Sequence, residues 1–193
     1  MKLILASQSP RRAELLKQMG LSFEVRPSNT EEVTEPGLTP QQEVVSLSLQ
    51  KARAVYGSLT EEAVVLSADT VVVLDDKILG KPRDEADAKK MLSALSGRSH
   101  FVLTGVTVMG PKGTQTHCEK TQVTFRTLSE KEIDAYIATF EPMDKAGAYG
   151  IQGFGGLFVS HLAGDYFNVV GLPVCAAGQM LRKAGIPVLE ETV

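Results

Sequence analysis

The 193-residue chain carries 20 Lys and Arg against 23 Asp and Glu, a net charge of −3, and is 43% hydrophobic. That length suits one domain of two lobes over 1–193 with enough chain for a core, and 22% charged residues at this apolar fraction argue against disorder. A slightly acidic chain without a long basic run argues against nucleic-acid binding, and no run nears the roughly 20 apolar residues of a membrane span.

The opening Met1–Ala6 is too short for the apolar region of a signal peptide. Cys118 and Cys175 form no metal or redox motif, so the expectation is reduced thiols and a cytoplasmic protein.

Along the chain, Lys2–Ala6 reads as a short buried strand. Ser9 is placed to cap a helix with Pro10 at its first position, and Gly20 closes it behind Leu15, Leu16 and Met19. Phe23–Arg26 reads as a strand, followed by a polar stretch carrying Glu31, Glu32 and Glu35. Thr39-Pro40-Gln41-Gln42 has the form of a capping box and opens a helix to Tyr56. Ala63–Ser67 and Thr70–Leu74 are β-branched runs interrupted at Ala68-Asp69, and Asp75-Asp76 turns the chain into Lys77–Leu79. Asp84 caps a helix to Leu95, stopped by Gly97. His100–Met109 and Thr114–Phe125 form a hairpin around Pro111-Lys112-Gly113.

Ser129-Glu130-Lys131-Glu132 is a second capping box, leading a helix with Ile133, Tyr136, Ile137 and Phe140 on one face. Lys145–Gly156 is punctuated by glycine and reads as irregular; two strands around Gly164-Asp165 and a helix from Pro173 to Lys183 follow. Hairpins mixed with strand–helix alternation indicate an α/β fold with a mixed, largely antiparallel sheet, not a doubly wound nucleotide fold.

Four features invite a chemical reading. In Ser7-Gln8-Ser9-Pro10-Arg11-Arg12, two arginines occupy the first turn of a helix, where the partial charge is already positive. An anion held by backbone N–H groups, hydroxyls and guanidinium forks would explain them; the plainer alternative is two solvated arginines. Asp69 stands between two strongly apolar runs, at a strand end or bulge facing a cleft if it does chemistry, or in a hairpin turn if it does not. Lys81, between Gly80 and Pro82, can meet a phosphate as a point charge or simply be an exposed loop lysine. Glycines 147, 150, 153, 155 and 156 permit close backbone approach to a ligand, and Gln152 among them can read a base edge.

Glu31 and Glu32 are ordinary loop carboxylates unless one joins Asp69 to hold Mg²⁺ or Mn²⁺ beside substrate oxygens. His100, His117 and His161 lack ligand spacing, and neither Ser7 nor Ser9 sits in a nucleophile motif with histidine.

These segments together resemble the Maf family of nucleotide pyrophosphatases, also called septum-formation inhibitor homologues. The resemblance rests on Leu5-Ala6-Ser7-Gln8-Ser9-Pro10-Arg11-Arg12, Glu32, Gln50-Lys51-Ala52-Arg53-Ala54, Ser67-Ala68-Asp69-Thr70, Gly80-Lys81-Pro82, Leu95-Ser96-Gly97-Arg98, and Glu141-Pro142 through Gly153, in family order over nearly the whole chain.

It implies an elongated α/β fold with two lobes around a deep cleft, similar to inosine triphosphate pyrophosphatases. It further implies hydrolysis of a nucleoside triphosphate to the monophosphate and pyrophosphate with a divalent cation, and a homodimer. Arg11-Arg12, Ala68-Asp69-Thr70 and Ile151-Gln152-Gly153 resemble the dTTP/UTP branch, with CTP or modified uridine triphosphates as further substrates. The 7-methyl-GTP branch typically has Trp at one of the arginines, Ser-Asp-Gln around the acid and Ser-Glu-Gly in the late loop.

By the same resemblance, Asp69 matches the general base and Glu32 the metal-associated acid. Ser7, Arg11, Lys51 and Lys81 match groups around the triphosphate, and Arg12, Thr70 and Gln152 the positions tied to base selectivity. The family's role in nucleotide-pool sanitation contrasts with a different class of reading, a non-catalytic nucleotide-sensing regulator of septum formation. That regulator would need the phosphate cradle but no ionised Asp69 beside a metal ligand.

Overall fold

Strand β1 (Lys2–Leu5) buries Leu3, Ile4 and Leu5 and runs parallel to both its neighbours, β2 (Glu24–Val25) and β3 (Ala63–Leu74). The computed structural model describes residues 1–29 and 31–189. Among these, seven strands form one sheet in the order β2-β1-β3-β5-β6-β7, with β4 (Lys77–Leu79) paired antiparallel to β3. Strands β5 (Ser99–Gly110) and β6 (Gly113–Phe125) are joined by the two residues Pro111-Lys112, a connection only antiparallel strands can use. Strand β7 (Val159–Ala163) lies antiparallel on β6. The sheet is mixed as the sequence indicates: parallel on the β1 side, antiparallel at its hairpins.

The helices are α1 (Pro10–Gln18), α2 (Pro40–Tyr56), α3 (Glu85–Leu95), α4 (Glu130–Ile137), α5 (Tyr166–Val170) and α6 (Val174–Ala184). Both capping boxes form. Gln42 N–H donates to Thr39 Oγ1 at 3.3 Å while Thr39 N–H donates to Gln42 Oε1 at 2.9 Å, and Ser129 with Glu132 repeats the exchange. Asp84 caps α3 by accepting the N–H of Asp87 at 2.7 Å. Asp75 and Asp76 both adopt positive φ, the conformation a two-residue hairpin between β3 and β4 requires.

Four expectations need correction. Ala63–Ser67 and Thr70–Leu74 are one twelve-residue strand, so Asp69 is neither at a strand end nor in a turn. Ser9 occupies the cap position of α1, but its side chain makes no capping bond; its N–H instead donates to Ser7 Oγ at 3.2 Å. Phe140 does not share the buried face of Ile133, Tyr136 and Ile137, because α4 ends at Ile137 and Phe140 turns to φ 60° and is 68% exposed. After Gly164, Asp165 accepts the N–H of Phe167 at 2.7 Å, a turn that starts α5 where a second strand was expected.

Contacts divide the chain into two compact units: residues 1–69, 104–119 and 171 onward, and residues 70–103 and 120–170. The first has Ile4, Ala6, Ala52, Val55, Ala63 and Val65 at the centre of its core. The second buries Leu92, Leu95, Val123, Phe125, Ile133 and Phe158 together.

In the first unit, α2 is fixed to the sheet by buried hydroxyls. Ser67 Oγ donates to the Ser48 carbonyl at 2.6 Å, and Ser48 Oγ shares a 2.8 Å hydrogen bond with Thr107 Oγ1. Gly105 on β5 admits the helix closely: a Cβ there would overlap the Val44 carbonyl and crowd Val45 N.

Candidate active site

The attachment of α2 to β3 dictates where the first charged groups meet. Ser67 and Asp69 are two residues apart on a strand, so they share a face at a separation of about 7 Å. On α2, Ser48 and Lys51 are three residues apart, a rise of about 4.5 Å. With Ser67 bonded to Ser48, Lys51 is brought to Asp69: Lys51 Nζ donates to Asp69 Oδ1 at 2.5 Å. The same ammonium meets Glu32 Oε1 at 2.8 Å.

Glu32 reaches it because Gln50, beside Lys51, grips the loop. Gln50 Nε2 donates to the Val33 carbonyl at 2.8 Å and its Oε1 accepts the Val33 N–H at 3.1 Å. Lys51 and Asp69 are only 15% and 14% exposed, whereas Glu32 is half exposed.

Arg12 joins this group from α1. Its Nε donates to the Gly171 carbonyl at 2.8 Å and its Nη1 to Ser7 Oγ at 3.1 Å, so Ser7 and Arg12 form one unit. Burial lowers the Arg12 pKa, Asp69 and Glu32 pull it back up, and the charge of Arg11 lowers it. The guanidinium stays protonated, and both carboxylates lie within its electrostatic reach. Arg12 and Lys51 thus meet the two carboxylates, and the charge of Arg11 lies within electrostatic reach of Arg12.

Glu32 and Asp69 converge on one cation, and both are hard oxygen donors. Carboxylate oxygens are the donor chemistry that Mg²⁺ and Mn²⁺ take. Among the described residues, no group of three or more His, Cys, Asp or Glu side chains could form a closed protein cage for a metal.

The remaining sequence-designated residues belong to the second unit. Thr70 follows Asp69 directly in β3, faces the other side of the strand and is half-buried. Lys81 is exposed after β4, and Gln152 is exposed in the glycine segment. Their two loops are tied together: the N–H of Gly147 donates to the Gly80 carbonyl at 3.0 Å. Gly147 has φ 67° and leaves no room for a Cβ, which would lie 2.8 Å from Val72 Cγ2.

Sequence reasoning missed the work of Gln50 and of Glu141 with Tyr136. Gln50 and Glu141 stand inside the recognised segments, but a side chain that holds a distant backbone carries no local pattern.

The chain is similar to named relatives over almost their whole length. A protein of Bacillus cytotoxicus named dTTP/UTP pyrophosphatase is 53% identical over 94% of this chain and 95% of its own. A Bacillus cereus protein of the same name is 51% identical over 97% of each. Among solved structures, a nucleoside-triphosphatase / dITP/XTP pyrophosphatase from Mycobacterium abscessus aligns with 66% of this chain and 76% of its own. That alignment has 18% identity and a TM-score of 0.41. No helix among the described residues is long and apolar enough to cross a membrane. Residues 2–184 match the family described as Maf-like protein, and the chain belongs to that family.

Proposed function

We propose that this protein is a nucleoside triphosphate pyrophosphatase acting on dTTP and UTP, releasing the monophosphate and pyrophosphate. The observation that carries the reaction class is Lys51 Nζ, held by both Asp69 and Glu32 with the Ser7–Arg12 pair in electrostatic contact. The substrate is proposed from the names of relatives 51–53% identical over nearly the full chain.

Asp69 acts as general base: it accepts a proton from the water that attacks the α-phosphorus in line, as pyrophosphate leaves. Such assistance is worth roughly 10²–10⁴-fold. Lys51, Arg11, Arg12 and the Ser7 hydroxyl bind the phosphates and stabilise charge spreading over their oxygens, the dominant contribution in phosphoryl transfer. Glu32 and Asp69 would hold a divalent cation, Mg²⁺ or Mn²⁺, which supplies Lewis-acid neutralisation of the polyphosphate when bound. Lys81 is assigned to the phosphates, and Arg12, Thr70 and Gln152 to selection of the base. Polar contacts to a pyrimidine edge can reject the wrong base strongly, because the protein groups are then left unpaired. Residues 1–193 act as one functional domain, in a cytoplasmic homodimer that sanitises the nucleotide pool.

A panel of nucleoside triphosphates with Mg²⁺ or Mn²⁺ tests the assignment, with monophosphate and pyrophosphate measured together. Equimolar release from dTTP and UTP is expected. Release of diphosphate and orthophosphate, or no release from any nucleotide, overturns it.

A further inference from the structure

The glycine segment that follows α4 is wrapped around one carboxylate. Glu141 Oε2 accepts the N–H of Phe154 at 3.0 Å, and its Oε1 accepts the N–H of Gly155 at 3.2 Å and the Tyr136 hydroxyl at 2.8 Å. Tyr136 Oη in turn accepts the N–H of Gly150 at 3.1 Å. Lys145 Nζ donates to the Glu141 carbonyl at 2.6 Å, and its stem lies against Gly150, where an added Cβ would come 2.7 Å from Cε. A Cβ on Gly155 would approach Tyr136 Oη at 2.8 Å, and one on Gly153 would overlap the Glu141 carboxylate.

Residues 150–155 are therefore pinned at both ends; Gln152, Gly153 and Phe154 between them are exposed, and Gln152 carries the polar side chain of that stretch. Burial works against the Glu141 charge, but the two N–H donors and the phenol outweigh it, and its pKa lies below the ordinary carboxylate range.

Among the described residues this carboxylate accepts from its own loop and from Tyr136 on α4, so its contribution is geometric. We infer that Glu141 is a positioning residue for base recognition. It fixes Gly150 through Tyr136 and fixes Phe154 and Gly155 directly, and so sets the Gln152 amide. The inference rests on the function proposed above and on Gln152 reading the base.

Glu141→Gln tests it, because the amide keeps the side chain's size but turns an NH₂ toward a backbone N–H. It is compared with Gln152→Ala and the double variant in kcat and KM for dTTP, UTP and CTP, with thermal unfolding and amide hydrogen exchange alongside. Exchange at Phe154 and Gly155 should quicken about tenfold, KM for dTTP should rise about tenfold, and kcat should stay within about threefold. The preference for dTTP over CTP should fall to the level of Gln152→Ala, and the double variant should lose nothing more.

A merely structural role would depress all three nucleotides in proportion. A wild-type dTTP to CTP ratio in Glu141→Gln, when Gln152→Ala loses it, overturns the inference. If Gln152→Ala keeps the ratio, base reading by Gln152 fails and the inference with it. If the wild-type protein releases no pyrophosphate at all, the proposed function has failed instead. Should Glu141→Gln not fold, Tyr136→Phe replaces it. That variant keeps the ring packed on Phe158 and removes only the hydroxyl relay, and an unchanged ratio there also overturns the inference.

Discussion

Replacing Asp69 by asparagine separates the proton-accepting role proposed for this side chain from its shape. The amide oxygen can still accept from Lys51 Nζ, now 2.5 Å from Asp69 Oδ1, but the charge is gone. Removing one partner of a fully buried ion pair costs about 3–5 kcal/mol. Here the partners are 14–15% exposed, and Lys51 keeps Glu32 at 2.8 Å, so the loss should be nearer about 1–2 kcal/mol. In a chain of this size that lowers Tm by roughly 2–8 °C and leaves the protein folded at 25 °C.

Activity should fall far more. Loss of general-base assistance predicts a kcat lower by roughly 10²–10⁴-fold, while KM for dTTP stays within about threefold because Ser7, Arg12 and Lys51 remain. Steady-state pyrophosphate release at saturating Mg²⁺ or Mn²⁺, on protein shown to be folded by thermal scan, measures both constants. A kcat within about threefold of wild type would refute the assignment of Asp69 as base.

Other perturbations probe different links. Lys81 is exposed, so Lys81→Ala should leave Tm unchanged and raise KM for dTTP roughly tenfold; an unchanged KM counts against its phosphate contact. In Gly105→Ala the new Cβ falls on the backbone of Val44 and Val45, which cannot swing aside, so urea unfolding should show a loss of about 3 kcal/mol. An unaltered midpoint would contradict the close approach of α2 to β5. His100 is buried with Nε2 2.8 Å from Tyr149 Oη, and burial pushes its imidazole down to about 4. The unfolded chain binds that proton near pH 6.5, so its contribution is complete above about pH 6.5. It is lost as pH falls toward 4, a change of about 3 kcal/mol. Proton NMR should find the ring titrating near pH 4; a midpoint near 6.5 would contradict its burial.

The legible parts of the fold were those written in local chemistry. Thr39 and Ser129 announced their helices because a capping box needs only four residues, and Asp75-Asp76 announced its turn because few residues accept positive φ in succession. Asp69 was misplaced within its element: a carboxylate between apolar runs resembles a break unless one knows that Lys51, 18 residues earlier, neutralises it. Of the candidate residues that the sequence offers, Ser7, Arg12, Glu32, Lys51 and Asp69 are brought together. What the sequence hid was the scaffolding. Gln50 holding Val33, Ser67 holding Ser48 and Glu141 holding Phe154 and Gly155 are contacts of side chains to remote backbone, which no periodicity encodes.

Hydrolysis of dTTP in ¹⁸O-labelled water tests the central chemistry most directly, because it reports which phosphorus the water attacks. Attack at the α-phosphorus, primed by Asp69, places the heavy oxygen in dTMP and leaves pyrophosphate unlabelled. Label appearing in pyrophosphate or orthophosphate would contradict the account.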